Sequence, residues 1–313
     1  MADRAHGKVV LLAGGTGGGK LAAGLQDHLG ADLAVIVNTA DDFDVHGLRV
    51  SADADLVTYW LVGEIDEKRG WGIRADTTVV HERLERLGAP GWFTLTDRDL
   101  ATCLYRTHFI AEGGTLTAAQ GQIGRALGAR AAVLPMTEQR VSTRILTQAG
   151  WRELQEFLIL DHGEAPIERV EVRGIERAHP TPEVSAALAA AELIVIAPSN
   201  PVLSIAPILA IEEIRVAVAG SDAPVLAVSP LVAGRSVKGP TEACIAAAGR
   251  PATPAGIASL YEGLLDLLVV DERDPGADPS DVPVHRCPTL MVDPASRREL
   301  ADRVLAVGTE LTS

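Results

Sequence analysis

The sequence predicts an α/β fold: a Rossmann-like, doubly wound, mainly parallel sheet. Three observations predict it. Apolar runs of strand length recur along the chain and alternate with helical stretches. The first run, Val9–Ala13, leads through a glycine cluster and a helical stretch to a second run at 33–38, a βαβ order whose right-handed crossover makes the strands parallel. Polar clusters follow several of the runs, at the strand ends where such sheets bind ligands.

The elements follow in order. After the strand at 9–13, residues 14–20 form a glycine turn and 21–29 a helix. A strand at 33–38 opens into a polar, acidic stretch at 39–51. Helices are expected at 55–62 and 78–87, with a charged loop between them at 66–76. The segment 92–128 reads as interrupted helix, with Thr117 as the N-cap of an Ala-rich stretch. A strand follows at 131–135. The runs at 154–160 and 167–172 alternate in part and suggest a hairpin or an added flank of sheet. A helix at 181–191 precedes a buried strand at 193–197, and further strands are expected at 224–228, 264–271 and 289–292. Residues 274–283 read as a loop. This organisation gives one domain over residues 1–313, with a helical insertion at about 55–130 over the carboxyl edge of the sheet.

Composition narrows the function classes. Hydrophobic residues make up 47% of the 313, enough for a large core. The net charge of −14 argues against broad binding to nucleic acid or to anionic membranes. Cys103, Cys244 and Cys287 lie far apart with no CxxC, which fits a reducing compartment. No run of 18 apolar residues spans a bilayer, and residues 1–8 do not read as a signal peptide. A cytoplasmic location is expected.

The chemistry-bearing motifs sit at the strand ends. Gly14 to Lys20 has P-loop spacing, but Leu21 stands where Ser or Thr would hold magnesium. As a dinucleotide fingerprint, Gly15 and Gly17 fit and Lys20 takes the third glycine position. Backbone N–H groups at a helix N-terminus still make an anion site; a ligand-free turn is the alternative. Five aspartates, Asp41, Asp42, Asp44, Asp53 and Asp55, lie within fifteen residues and repel one another unless a cation joins them. Magnesium (Mg2+) needs only one or two carboxylates plus substrate phosphates. His46, on the same loop, reads as polar loop or packing rather than a metal ligand. Arg98 and Arg106 are eight apart, so one helix face would offer both to an anion. Asn200, between Pro198-Ser199 and Pro201, could read a base or sugar edge, or simply turn the chain. Ser142, Thr143 and Ser229 are placed at the same edge.

These segments together resemble the CofD family of transferases, called FbiA in actinobacteria, of coenzyme F(420) biosynthesis. The matching pieces run in order along the chain: LAGGTGGGKLAAGL, VNTADDFDVHGLRVSADADL, RGWGI, LTDRDLATCLYRT, LPMTEQRVSTRI, VEVRGIERA, APSNPVLSI, AVSPLVAG and VVDERD. The resemblance implies a magnesium-dependent transfer of a substituted phosphate group. A guanosine-diphosphate-linked three-carbon acid, from phospholactate, phosphoenolpyruvate or phosphoglycerate, is the implied donor. The ribityl hydroxyl of the deazaflavin Fo is the implied acceptor, and GMP leaves. It further implies a homodimer and a donor-making guanylyltransferase as pathway neighbour.

Carried over residue by residue, Gly14, Gly15, Thr16, Gly17 and Lys20 would hold the diphosphate. Asp42 and Asp55 would hold magnesium or orient the acceptor hydroxyl. Asp53 is assigned to substrate, Asp55 and Thr94 to the deazaflavin, and Ser199 and Asn200 to the guanosine. Asp97 and Arg98 belong to an intact family segment and are expected to bind substrate. An apolar slot for the deazaflavin is expected from Trp60, Trp71 and Leu95. Three positions depart from the family pattern: Ala52 for proline, Thr96 for glycine and Cys103 for histidine. The alternative reading is a nucleotide-sugar-binding regulator of the YvcK type. A nicotinamide oxidoreductase is disfavoured by the broken fingerprint and by the lack of a ribose-binding acid after Val37.

Overall fold

In the computed structural model, which describes residues 8–311, seven parallel strands form one sheet with helices on both faces. The strands are β1 (Val9–Ala13), β2 (Leu33–Val37), β3 (Ala132–Pro135), β4 (Leu193–Ile196), β5 (Val225–Val228), β6 (Leu267–Asp271) and β7 (Val284–Cys287). Their spatial order is β3-β2-β1-β4-β5-β6-β7, so the chain reverses direction across the sheet between β1 and β4. That reversal is the switch point where doubly wound folds bind ligands. In register, Val9 lies between Leu33 and Leu193, and Leu12 between Ile36 and Ile196.

The near-continuous apolar strands reflect burial on both faces. Along β1, Val9 and Leu11 point to one layer and Val10 and Leu12 to the other, the period-two alternation of a strand. The first layer is covered by α1 (Gly15–Leu29), α2 (Ala52–Leu61) and the C-terminal helix Pro294–Leu311. Leu21, Leu25, Val57 and Val304 fill it. The second layer is filled from helices further along, through Val184, Ile208, Ile214 and Ile257. Between β2 and β3 lie a hairpin (Phe43–Val45 with Leu48–Val50), α2, α3 (Val79–Arg86), α4 (Asp97–Ala111) and α5 (Leu116–Leu127). Helix α2 therefore belongs to the cover of the sheet. A three-stranded antiparallel sheet, with Ser142–Thr147 between Gly150–Glu153 and Arg169–Arg173, flanks the core.

Several local expectations are corrected. The glycine run is helix, not loop: α1 begins at Gly15, whose φ of 60° is the left-handed region that glycine enters without strain. The N-cap of α5 is Thr115 rather than Thr117. Its side chain accepts from Ala118 N–H, and it is the first residue after the Gly113-Gly114 break. Leu154–Ile159 is a helix, with Leu154 and Phe157 buried at helical spacing. The last strand is β7, not 289–292. Pro288 has no N–H to continue a ladder, and the Asp271 carboxylate takes the Thr289 N–H and hydroxyl instead. The stretch read as lacking a signal peptide lies, through residue 7, outside the described residues. Among the described residues no helix is long and apolar enough to cross a membrane.

Close packing explains the glycines inside α1. A Cβ on Gly17 would lie 2.0 Å from the Pro198 carbonyl oxygen, and one on Gly19 would lie 2.3 Å from the Trp60 ring. Gly17→Ala should therefore lower stability by about 1–3 kcal/mol or more, the cost of overpacking a rigid contact. The control Gly121→Ala, on α5, meets only the flexible Arg125 guanidinium and should be neutral or stabilising by up to about 1 kcal/mol. Thermal melts of both variants would check this; equal behaviour would contradict the packing role.

Candidate functional site

At the switch point the ends of β1, β2 and β4 meet. The extended Gly14 joins β1 to α1, and its carbonyl accepts from Ser199 Oγ at 2.7 Å, just beyond β4. The Gly15 N–H donates to Asp53 Oδ1 at 2.6 Å. The free N-terminus of α1 thus already holds a carboxylate, which suits the positive end of the helix dipole. Asn38, the residue after β2, donates to the other Asp53 oxygen at 3.0 Å and accepts from Ala40 N–H.

The glycine segment is packed along its Gly17–Gly18 side. Gly17 and Gly18 pack on Pro198 and Ser199. Thr16 Oγ1 donates to the Gly70 carbonyl, and Lys20 Nζ to the Met291 carbonyl at 2.7 Å. Lys20 thus turns away from the helix N-terminus, where P-loop spacing would have aimed it. Asn200 spends its carbonyl oxygen on the Val202 and Leu203 N–H groups, capping the next turn. Its Nδ2 reaches Thr241 Oγ1 at 3.5 Å, and the side chain also meets the Cys244 thiol.

A second group of carboxylates lies beside the first. Asp42 Oδ2 accepts from Arg49 Nη2 at 3.0 Å and from Ser51 Oγ at 2.8 Å. Asp55 Oδ1 pairs with the fully buried Arg106 guanidinium, which also donates to the Arg49 carbonyl. The remaining oxygens, Asp42 Oδ1 and Asp55 Oδ2, are buried without a hydrogen-bond partner, as is Asp41 Oδ1. Burial raises Asp42 and Asp53 to about 6 against the opposing pull of their donors, and it raises Asp41 and Asp55 as well. Asp44 instead lies on the surface, paired with Arg140. His46 turns the hairpin at φ 51°.

Sequence reasoning missed the far wall of this group. Asp99 accepts from Tyr59 OH at 2.9 Å, and its carboxyl rises to about 7 through burial and then the nearby Asp55 charge. Ligand atoms of Asp55, Asp99 and Cys103 lie within 4.8 Å of one another. Asp99, Cys103 and Arg106 follow i, i+4, i+7 spacing, which places them on one face of α4; that signal was legible. Burial pushes the Cys103 thiol up strongly, so it is an inert thiol, and Cys244 and Cys287 are likewise buried and free.

Two expectations for this wall are corrected, the shared anion and the aromatic slot, and Asp97 gains structural partners. Arg98 and Arg106 do not share an anion: Arg106 is enclosed against Asp55, whereas Arg98 faces outward against Asp76. Asp97 is occupied structurally, accepting from the Val79 and Val80 N–H groups at the start of α3. In exchange Asp76 accepts from the Arg98 and Asp99 N–H groups at the start of α4, so each helix is capped from the other's leading segment. Trp60, Trp71 and Leu95 do not line one slot. Trp60 is buried with Tyr59, Ile65 and Ile73, Leu95 with Val45, Val50 and Cys103, and Trp71 is 46% exposed under Arg69. Thr94 is half-buried in the segment leading into α4. Ser142 sits on the flanking sheet, Thr143 is buried, and Ser229 Oγ accepts from the Leu231 N–H.

Comparison with known proteins gives a consistent result. The family model described as 2-phospho-L-lactate transferase CofD matches residues 9–285. A 2-phospho-L-lactate transferase of Methanopyrus kandleri is 39% identical, the alignment covering 97% of this chain and 98% of that protein. A phosphoenolpyruvate transferase of Streptomyces griseus is 36% identical over 97% of this chain and 99% of that protein. A solved structure of a UPF0052 family protein from Bacillus halodurans superposes with a TM-score of 0.63 at 17% identity, covering 96% of this chain and 98% of that one, and shares the fold.

The Asp99 environment sets a pH dependence. An unfolded aspartate ionises near 4, whereas folded Asp99 holds its proton to about 7. Its ionisation therefore removes stability as pH rises between those values, while below both the group contributes no difference. Asp99→Asn should melt higher than the parent at pH 8, by on the order of 2–4 kcal/mol at most. At pH 4 the two should melt alike. Thermal denaturation across that range would test this, and a difference independent of pH would show the carboxylate ionised throughout.

Proposed function

This chain belongs to the CofD family, and from that premise we propose that it transfers a phospho-three-carbon-acid group from a guanosine-diphosphate-linked donor to the ribityl hydroxyl of Fo. The acceptor oxygen attacks the phosphorus that carries the acid, a phosphodiester forms, the bond to the departing phosphate breaks, and GMP leaves. The observation that carries this reading is the pair of buried, unpartnered oxygens, Asp42 Oδ1 and Asp55 Oδ2, within family-matched segments at the carboxyl edge of the sheet.

These two oxygens suit a hard cation, since magnesium asks for only one or two carboxylates beside substrate phosphates and water. Asp42 and Asp55 would hold it, and it would supply charge neutralisation to the transferring phosphoryl group. The rest falls to the chain's own groups. Arg49 and Arg106 fix the two carboxylates by occupying one oxygen of each. Asp55 Oδ2 would serve either the cation or the acceptor hydroxyl; off the cation, its burial-raised basicity would let it accept the hydroxyl proton. Thr16 and Gly17 keep first-turn N–H groups that a helix cannot satisfy itself, and these meet the diphosphate. Asn200 Nδ2, held at 3.5 Å from Thr241 Oγ1, would meet the guanosine. Thr94 and Asp55 contact the deazaflavin.

Mass spectrometry of a reaction containing Fo and the guanosine-diphosphate-linked donor should show the phosphodiester and GMP. Chelation of divalent cations should abolish turnover, and Asp55→Asn should reduce it by about a hundredfold, corresponding to roughly 3 kcal/mol of transition-state stabilisation. Full turnover in excess chelator would remove the metal assignment. Failure to bind Fo, together with tight binding of a nucleotide sugar, would favour the regulator.

A further inference from the structure

A cavity of about 380 Å³ opens between the Phe43–Val50 hairpin and the flanking sheet. Four arginines line it, Arg49, Arg140, Arg173 and Arg177, against two carboxylates, Asp42 and Glu153. That excess of cations is local and runs against the whole chain, which has 28 Lys and Arg to 42 Asp and Glu. The guanidinium groups are only partly used. Arg49 spends one Nη on Asp42, and Arg140 one Nη on Asp44. Arg173 reaches Ser142 Oγ and Glu153. Among the described residues the Arg177 guanidinium pairs with its neighbour Glu176, and its side chain is 81% exposed. Each guanidinium carries five N–H donors, so several remain for a guest.

Asp42 lines the cavity, and its Oδ1 is buried and unpartnered. Asp42 therefore belongs both to the reaction centre proposed above and to the arginine-lined space. We propose that this cavity is the subsite for the carboxylate of the donor's three-carbon acid, held by Arg140 and Arg173 with Arg177 at the mouth. The inference rests on the transferase reading. In such a donor the carboxylate lies a few bonds from the reacting phosphorus, so its subsite must adjoin the group that faces that phosphorus. Arginine suits the task, because its planar fork matches a carboxylate with two parallel hydrogen bonds. Arg140 and Arg173 pair at present only with exposed carboxylates, Asp44 and Glu153, and exposed pairs are weak enough to be exchanged for a ligand.

Two probes separate this idea from the reading it rests on: the lactyl-diphosphoguanosine donor, and an ethyl-diphosphoguanosine analogue without the carboxylate. Calorimetry and steady-state kinetics with the parent, Arg173→Met and Arg140→Met would be compared. The variants should bind the lactyl donor about tenfold or more weakly, the size of a lost hydrogen bond to a charged group. They should bind the ethyl analogue and GDP as the parent does, and Arg173→Lys should recover part of the loss. Equal weakening toward both probes would place the arginines on the diphosphate or the fold and overturn the proposal, as would no weakening at all. Free lactate or phosphate binding that the arginines control, without any effect on the donor, would make the cavity a separate anion site and also overturn it. A parent protein that bound no probe would instead remove the transferase reading.

Discussion

The contact between the Asp53 carboxylate and the Gly15 N–H is the constraint from which the rest of the site is built. It ties the first turn of α2 to the first turn of α1, and through Asn38 it draws in the end of β2. A hydrogen bond to a charged group contributes about 1.5–3 kcal/mol. Burial nevertheless raises Asp53 to about 6, so desolvation outweighs the donors around it. The carboxylate is held in place by geometry more than by favourable solvation. The proposed diphosphate would have to share the α1 N-terminus with it, which would set the electrostatic problem of the whole site.

The sheet was legible in the sequence because its strands are short unbroken apolar runs buried on both faces. The start of α1 was not. Each glycine disfavours a helix interior by about 1 kcal/mol relative to alanine, so local preference argues for a turn. Contacts far away in sequence override it: the Pro198 carbonyl and the Trp60 ring leave no room for a side chain. The misplaced last strand has the same origin. Nothing local to residues 289–292 announces that Asp271, eighteen positions earlier, claims the backbone of Thr289.

For the site, residue types were legible and partnerships were not. The acidic loop stood out because five aspartates in fifteen residues have no reason to gather in an ordinary turn. Which of them point inward depends on Arg49, Arg106 and Asn38, and the first two were not readable as partners without the fold. Asp97 shows the converse. Its motif suggests a substrate, and the fold adds a second role: the carboxylate caps α3, as Asp76 caps α4. Helices of eight and fifteen residues depend on such caps to fix where they begin.

The charge balance of the buried site leads one step further. Asp41, Asp42, Asp53, Asp55 and Asp99 are each raised above the usual carboxylate range, chiefly by burial. The cations enclosed with them are Arg49 and Arg106. Five acids cannot all ionise beside two guanidinium groups without a large desolvation cost. Near neutral pH the deficit is met by protons retained on part of the group. The proposed magnesium would replace those protons and pull the same carboxylates back toward ordinary acidity. Metal uptake would then release protons, and the affinity would rise with pH. The cluster in this reading is poised by burial to exchange protons for a cation, and Arg106 is the fixed charge that keeps Asp55 oriented through that exchange.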